Sequence, residues 1–245
     1  MTSKVLLVTG GSRGIGACVA RQAAGRGYRV CVNYRSSAAE AKTVVDEIQL
    51  AGGQAFAYGC DTADDDAVKA MFTEVDRRFG RLDALVNNAG MYGDLRPVED
   101  LSAGEIRRLL DVNVMGYIIC AREALRRMAP RHGGSGGRIV NVSSIAGQNG
   151  GSPGRTLYAL SKGAIDTFSK GLSKEGAPDG ITVNTFAPGL TDTDFNPPGR
   201  VASLAKSVPL GRVGEPEEMA AGILWLLSDE ASYCTAATLT MSGGR

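Results

Sequence analysis

Val5-Leu6-Leu7-Val8-Thr9-Gly10-Gly11-Ser12-Arg13-Gly14-Ile15-Gly16 is the stretch from which the fold is read. Four consecutive apolar residues mark a strand buried on both faces, as in parallel sheets covered by helices on either side. The glycines at 10, 14 and 16 then turn the chain into a helix running to about Gly25. Glycines at such a junction let the backbone approach a pyrophosphate, whose charge the free N–H groups and the helix dipole favour. The spacing is G-x-x-x-G-x-G rather than the commoner G-x-G-x-x-G, and Ala17 stands where a P-loop requires its lysine.

Beyond this stretch, strand and helix patterns alternate. Strands are expected at Tyr28–Asn33, Gln54–Tyr58, Ala84–Val86, Arg138–Val142, Ile181–Phe186 and Thr238–Thr240. Helices are expected at Ser37–Ala51, Asp64–Phe79, Ala103–Met128, Tyr158–Lys174 and Pro216–Leu227. Ser102 and Glu105 form a capping box ahead of the long helix, and Pro216 suits a first helical position. With no linker or break in composition, the pattern predicts an α/β fold: one doubly wound parallel sheet in a single domain, 1–245. Right-handed crossovers put every strand C-terminus on one edge, where ligands bind. The loops after Val8, Asn33, Tyr58, Val86, Val142 and Phe186 therefore converge.

Composition narrows the function. Of 245 residues, 43% are hydrophobic and 22% charged, and the formal net charge is +1. That balance argues against nucleic acid or an anionic membrane as partner. No apolar run approaches the ~20 residues needed to span a bilayer. Five scattered cysteines without a C-x-x-C pair suit reduced thiols in a cytoplasmic protein. With His132 the only histidine, neither a histidine triad nor a metal site is expected.

Tyr158 and Lys162 lie one turn apart on an expected helix, so the phenol and the ammonium share a face. A nearby cation favours the phenolate and is expected to lower the Tyr158 pKa, making it a usable general acid–base. Ser144, at the end of an apolar run, could hydrogen-bond a substrate oxygen. Alone, such a Tyr–Lys pair is more often two neighbours on a helix surface.

Its weight comes from company. The Thr9–Gly16 loop, Asn87-Asn88-Ala89-Gly90, Asn113, Asn141-Val142-Ser143-Ser144, Tyr158-x-x-x-Lys162 and Pro188-Gly189 occur in order across the chain. In these the sequence resembles the short-chain dehydrogenase/reductase family, nearest to sugar dehydrogenase-like and 3-oxoacyl-carrier-protein reductase-like members. The resemblance implies a Rossmann-type, three-layer sheet of seven strands, usually a homotetramer, and hydride transfer between a nicotinamide and a carbonyl or alcohol. It implies Asn113, Ser144, Tyr158 and Lys162 as catalytic, with Ser143 the alternative to Ser144. Asn113 would support a water relay to the lysine. The cofactor positions implied are Gly10, Ser12, Arg13, Gly14, Ile15 and Gly16, then Asn33, Tyr34, Arg35 and Ser36. Asp61 and Thr62, Asn87, Ala89 and Gly90, and Pro188, Gly189, Thr191 and Thr193 follow, with Tyr158 and Lys162 themselves.

NADP is expected over NAD. An NAD enzyme normally ends strand two in an acid that accepts from the ribose 2′-OH, whereas here Asn33 is followed by Tyr34 and Arg35. Arg13 and Arg35 could clamp a 2′-phosphate between them. Gln148–Arg155 and Leu190–Ser207 are expected to wall the substrate pocket, with a lid at about 189–207. Tyr92, Asp94, Gln148, Asn149 and Phe195 would give it a mixed lining. Ala236 stands where the family commonly has glycine. A non-catalytic dinucleotide-binding sensor or scaffold on the same fold is the alternative, but a sensor has no need of an acid–base pair.

Overall fold

The computed structural model describes residues 3–196 and 199–245. Seven strands form one wholly parallel sheet: β1 (Val5–Val8), β2 (Arg29–Tyr34), β3 (Gln54–Gly59), β4 (Ala84–Asn87), β5 (Gly137–Val142), β6 (Ile181–Pro188) and β7 (Thr238–Met241). Their order is β3-β2-β1-β4-β5-β6-β7. The helices are α1 (Gly14–Gly25), α2 (Ala38–Leu50), α3 (Asp65–Phe79), α4 (Ala103–Leu110), α5 (Gly116–Met128), α6 (Ile145–Asn149), α7 (Thr156–Gly176), α8 (Arg200–Leu204) and α9 (Pro216–Leu226). Every expected strand is present, each within two residues of its expected ends.

Alternation along β1 sorts the core into two halves. Leu6 and Val8 face one way, with Val19 and Ala20 of α1, Val44 of α2 and Ile223 of α9. Val5 and Leu7 face the other, with Met71 and Phe72 of α3, Cys120 and Ala124 of α5 and Leu172 of α7. Complete burial of a side chain such as Phe72 stabilises by roughly 1.5–3 kcal/mol, so two such layers easily hold the sheet. The order reverses direction between β1 and β4, and the crossover there opens a crevice at the strand C-termini.

Local chemistry sets the helix ends. Asp64 caps α3 by accepting from the Asp66 and Ala67 N–H groups, and Gly80 ends it at φ 74°, a left-handed conformation that glycine takes without strain. The Ser102–Glu105 capping box forms as expected, and a second joins Glu215 to Glu218 ahead of α9. The helix expected as one piece from Ala103 to Met128 is interrupted: Asp111–Met115 form a π-helical turn in which the Gly116 N–H bonds the Asp111 carbonyl. The short α6, unforeseen in the sequence, starts directly at Ser144. Pro197 and Pro198, within the expected lid, lie outside the described residues.

Candidate active site

A cleft of about 420 Å³ opens where the strand-end loops meet. The glycine loop is braced from both neighbours. Asn88 donates to the carbonyls of Thr9 (3.1 Å) and Gly10 (3.0 Å), and the Thr9 hydroxyl accepts from the Asn88 and Ala89 N–H groups. Gly10 and Gly14 have φ of 61° and 53°, so both need glycine. Arg13 precedes α1 in an extended conformation without a side-chain cap, which leaves the helix N-terminus facing the cleft to an incoming ligand. Gly16, expected at the ligand, lies behind the loop instead. A side chain there would collide with the Gly10 carbonyl, so its task is close packing of α1 on the loop.

Tyr158 and Lys162 sit on one face of α7 and are 5% and 3% exposed. Ser144 caps α6, accepting from the Ala146 N–H, and stands near enough to the Tyr158 phenol to favour its ionised form. Ser143 is buried and donates to the Lys162 carbonyl at 3.1 Å, so of the two serines Ser144 is the one at the phenol. Lys162 Nζ donates to the Val142 carbonyl (2.8 Å) and to the Tyr117 hydroxyl (3.2 Å). Burial brings its pKa down to about 7, with Asp166 pulling the other way. The expected lowering of the Tyr158 pKa is reversed in the free protein. Burial, reinforced by Tyr92, pushes the phenol well above its usual range, against the opposing influence of Ser144 and Arg155.

Asn113 is fully buried in the π turn and absent from the cleft wall. Its carboxamide accepts from the Met91 N–H and donates to the Met91 carbonyl and to Ser161 Oγ, so the side chain pins the loop after β4 onto α7. Asn87 is likewise withdrawn: it donates to the Tyr117 carbonyl and to Asn141 on β5. Ala89 and Gly90 do line the cleft, together with Asn88.

At the other end stand Ser12, Arg13, Ile15, Tyr34, Arg35, Ser36, Asp61 and Thr62. Asn33 also lines the cleft, but it is 1% exposed and its carboxamide is engaged by its neighbours: it accepts from the Gly10 N–H and donates to the carbonyls of Tyr34, Tyr58 and Cys60. Tyr34 at the end of β2, with Arg35 and Ser36 after it, presents the less enclosed groups on this side of the cleft. Asp61 is paired with Arg108 at 2.8 Å. Burial raises its pKa, but the Ala63 N–H and Arg108 outweigh that and hold it below the usual range. Neither Arg13 nor Arg35 forms a salt bridge among the described residues.

Pro188, Gly189, Thr191 and Thr193 complete the wall after β6. Thr191 bridges to Gly214 and bonds the Gly189 carbonyl, while Thr193 lies against Gly14 across the cleft. Phe195 stacks on Tyr92, with ring centroids 4.3 Å apart, and Tyr92 on Tyr158 at 4.5 Å. Gln148 and Asn149, expected in the lining, are directed elsewhere, to Thr240 and to the Gly151 N–H. Asp94 lines an adjoining pocket of about 330 Å³ that shares Met91, Tyr92 and Tyr158.

Residues 4–201 match the family described as short chain dehydrogenase. The chain is a short-chain dehydrogenase/reductase. This dehydrogenase/reductase is 48% identical to the uncharacterised oxidoreductase YgfF of Escherichia coli (strain K12), over 98% of its own length and 99% of that protein. It is 38% identical to the 3-oxoacyl-[acyl-carrier-protein] reductase FabG of Staphylococcus aureus (strain Mu50), over 99% and 98%. Among solved structures, a short chain dehydrogenase from Burkholderia cenocepacia J2315 in complex with NADP superposes with a TM-score of 0.92. The two are 38% identical, with 98% and 97% of the chains covered. As a member of the family, the protein is an NAD(P)-dependent oxidoreductase, and no helix among its described residues is long and apolar enough to cross a membrane.

Proposed function

We propose that this enzyme reduces a small carbonyl compound with NADPH, in a single catalytic domain (1–245) with Leu190–Ser207 as lid. The observation that carries the reading is the meeting of Ser144 and Tyr158 in the cleft lining, with Lys162 one turn along the helix of Tyr158. The residues present fit a dinucleotide: the uncapped end of α1 and the left-handed glycines suit a pyrophosphate, and Arg13, Arg35 and Ser36 suit a 2′-phosphate. Asp61, neutralised by Arg108, adds little repulsion there. The NADP complex of the Burkholderia relative supports the same choice.

Bound in its reduced form, the nicotinamide supplies hydride to the carbonyl carbon. Ser144 hydrogen-bonds the substrate oxygen and fixes it at Tyr158. Tyr158 gives its proton to that oxygen as negative charge builds there. Burial keeps the phenol protonated until then, and an alkoxide is a far stronger base than a phenolate, so the transfer runs downhill. Lys162, which lines the cleft and has two of its donors held by Val142 and Tyr117, would hold the ribose hydroxyls with the third. Asn113 acts from behind by fixing the loop after β4, and Phe195 with Tyr92 shields the site from water. Free cysteines suit a reducing cytoplasm. Exposed Met115, Leu160, Trp225 and Tyr233 suit a homotetramer, which light scattering would refute by returning a mass of 25.5 kDa.

The test is a panel of sugars, small ketones and acyl thioesters, assayed with NADPH and NADH. Tyr158→Phe is expected to lose roughly 10²–10⁴-fold in turnover while still binding NADPH. Undiminished turnover by that variant would sink the reading.

A further inference from the structure

Beneath the cleft floor a second tyrosine reaches the Lys162 ammonium. Tyr117, near the start of α5, is 1% exposed. Its hydroxyl donates to the Val142 carbonyl at 2.9 Å and accepts from Lys162 Nζ at 3.2 Å, while Nζ itself donates to the same carbonyl at 2.8 Å. The three groups close a triangle. Nζ also lies 5.1 Å from the centre of the Tyr117 ring and 5.8 Å from that of Tyr158, within cation–π range of both. Among the described residues the Tyr117 hydroxyl is the one side-chain hydrogen-bond partner of Nζ, since the Asn113 carboxamide is spent on Met91 and Ser161.

A phenylalanine would fill the same space without the cost of burying a hydroxyl, so the hydroxyl is explained by what it bonds. An ammonium has three protons; Val142 and Tyr117 take two and leave the third directed to the cleft. We infer that Tyr117 is a positioning residue, whose hydroxyl aims the Lys162 ammonium at the coenzyme and keeps it charged within a buried site. The inference rests on the proposal that Lys162 works as a cation beside Tyr158. The titratable groups around Nζ are Tyr158 and Asp166 on its own helix and Tyr117 from α5. β5 and the loop after β4 present uncharged groups there, the Val142 carbonyl and Gly90. An acceptor favours the charged ammonium, so removing the Tyr117 hydroxyl is expected to bring Lys162 to lose its proton at lower pH.

Two readouts on Tyr117→Phe decide the matter: the pH profile of kcat/KM, and NADPH affinity by fluorescence titration across the same range. The alkaline limb is expected to move down by about one pH unit, and affinity above the wild-type lysine pKa to fall about tenfold. Well below that pKa both should match wild type. A profile and an affinity curve superimposable on wild type overturn the inference. Tyr158→Phe is run alongside. If that variant is inactive while Tyr117→Phe is unaltered, only the role of Tyr117 fails; if Tyr158→Phe stays active, the acid–base reading itself fails. Should Tyr117→Phe not fold, a crystal structure of the wild-type enzyme with NADP decides. The Tyr117 hydroxyl directly on Lys162 supports the inference, and a water between them refutes it.

Discussion

Ala236 has φ 61°, and among the described residues it is the only non-glycine in the left-handed region. The turn holds it there: its N–H donates to the Val183 carbonyl at 2.8 Å, and the next N–H donates to Asn184 Oδ1 at 3.1 Å, which starts β7 alongside β6. For an L-residue this conformation costs roughly 1–2 kcal/mol, because Cβ crowds the following carbonyl. Ala236→Gly removes that crowding. The larger freedom of glycine in the unfolded chain returns roughly 0.5–1 kcal/mol of it. Because the side chain is exposed, no packing is lost. The net expectation is a gain of about 1 kcal/mol, read as a rise of roughly 2–4 °C in Tm for a chain of this size. Thermal and urea unfolding at fixed protein concentration measure it, with Ala237→Gly as control. The control residue is not left-handed and should lose about 0.5–1 kcal/mol. If Ala236→Gly leaves Tm unchanged or lowers it, the strain argument is wrong.

Asn33→Asp should destabilise by about 1–3 kcal/mol without turning the enzyme toward NADH, because a carboxylate cannot donate to the Tyr58 and Cys60 carbonyls; a folded, NADH-preferring variant would contradict this. Arg35→Ala should weaken NADPH by about tenfold or more and NADH hardly at all, so equal losses would refute the phosphate clamp. In the coenzyme-free protein Lys162 loses its proton near 7, against 10.5 for an ordinary lysine. Between those values the unfolded chain holds a proton that the native state lacks, so stability rises with pH. Above about 9 the raised pKa values of Cys18 and Cys60 oppose the trend, so urea midpoints are compared from about 7 to 9. A falling midpoint there, or a slope that survives in Lys162→Met, would count against the assignment. Phe195, 40% exposed and stacked on Tyr92, narrows the entrance; Phe195→Ala should shift kcat/KM toward bulkier ketones by about tenfold, measured on paired substrates.

What could be read in advance followed from period and spacing. Strands buried on both faces must be apolar runs, so β1 and β4 were legible as Val5–Val8 and Ala84–Val86. A four-residue spacing on a helix fixes a shared face, so Tyr158 and Lys162 were legible as a pair. Side-chain direction at strand ends was not. Asn33 and Asn87 each stand at the C-terminal end of a strand with the carboxamide bonded to neighbouring backbone or side chains, yet a polar residue there reads equally well as ligand contact or as brace. One signal was available: Asn87 and Asn141 are register partners on β4 and β5, and two asparagines facing each other across a parallel pair suit a mutual hydrogen bond. Tyr117 was hidden by its neighbours, since Gly116-Tyr117-Ile118-Ile119-Cys120 looks like plain core. The five-residue α6 is too short for any periodicity to show.

The π-helical turn at Asp111–Met115 holds one residue more than regular winding would place there. Each residue advances a helix by about 100°, so α4 and α5 are out of angular phase across it. Asn113 meets Ser161 and Tyr117 meets Lys162 because of that offset. Deleting a single residue from the turn would restore a smooth helix and swing one of those side chains off its partner. A redesign that idealised the backbone here would gain regularity and lose the alignment of the site.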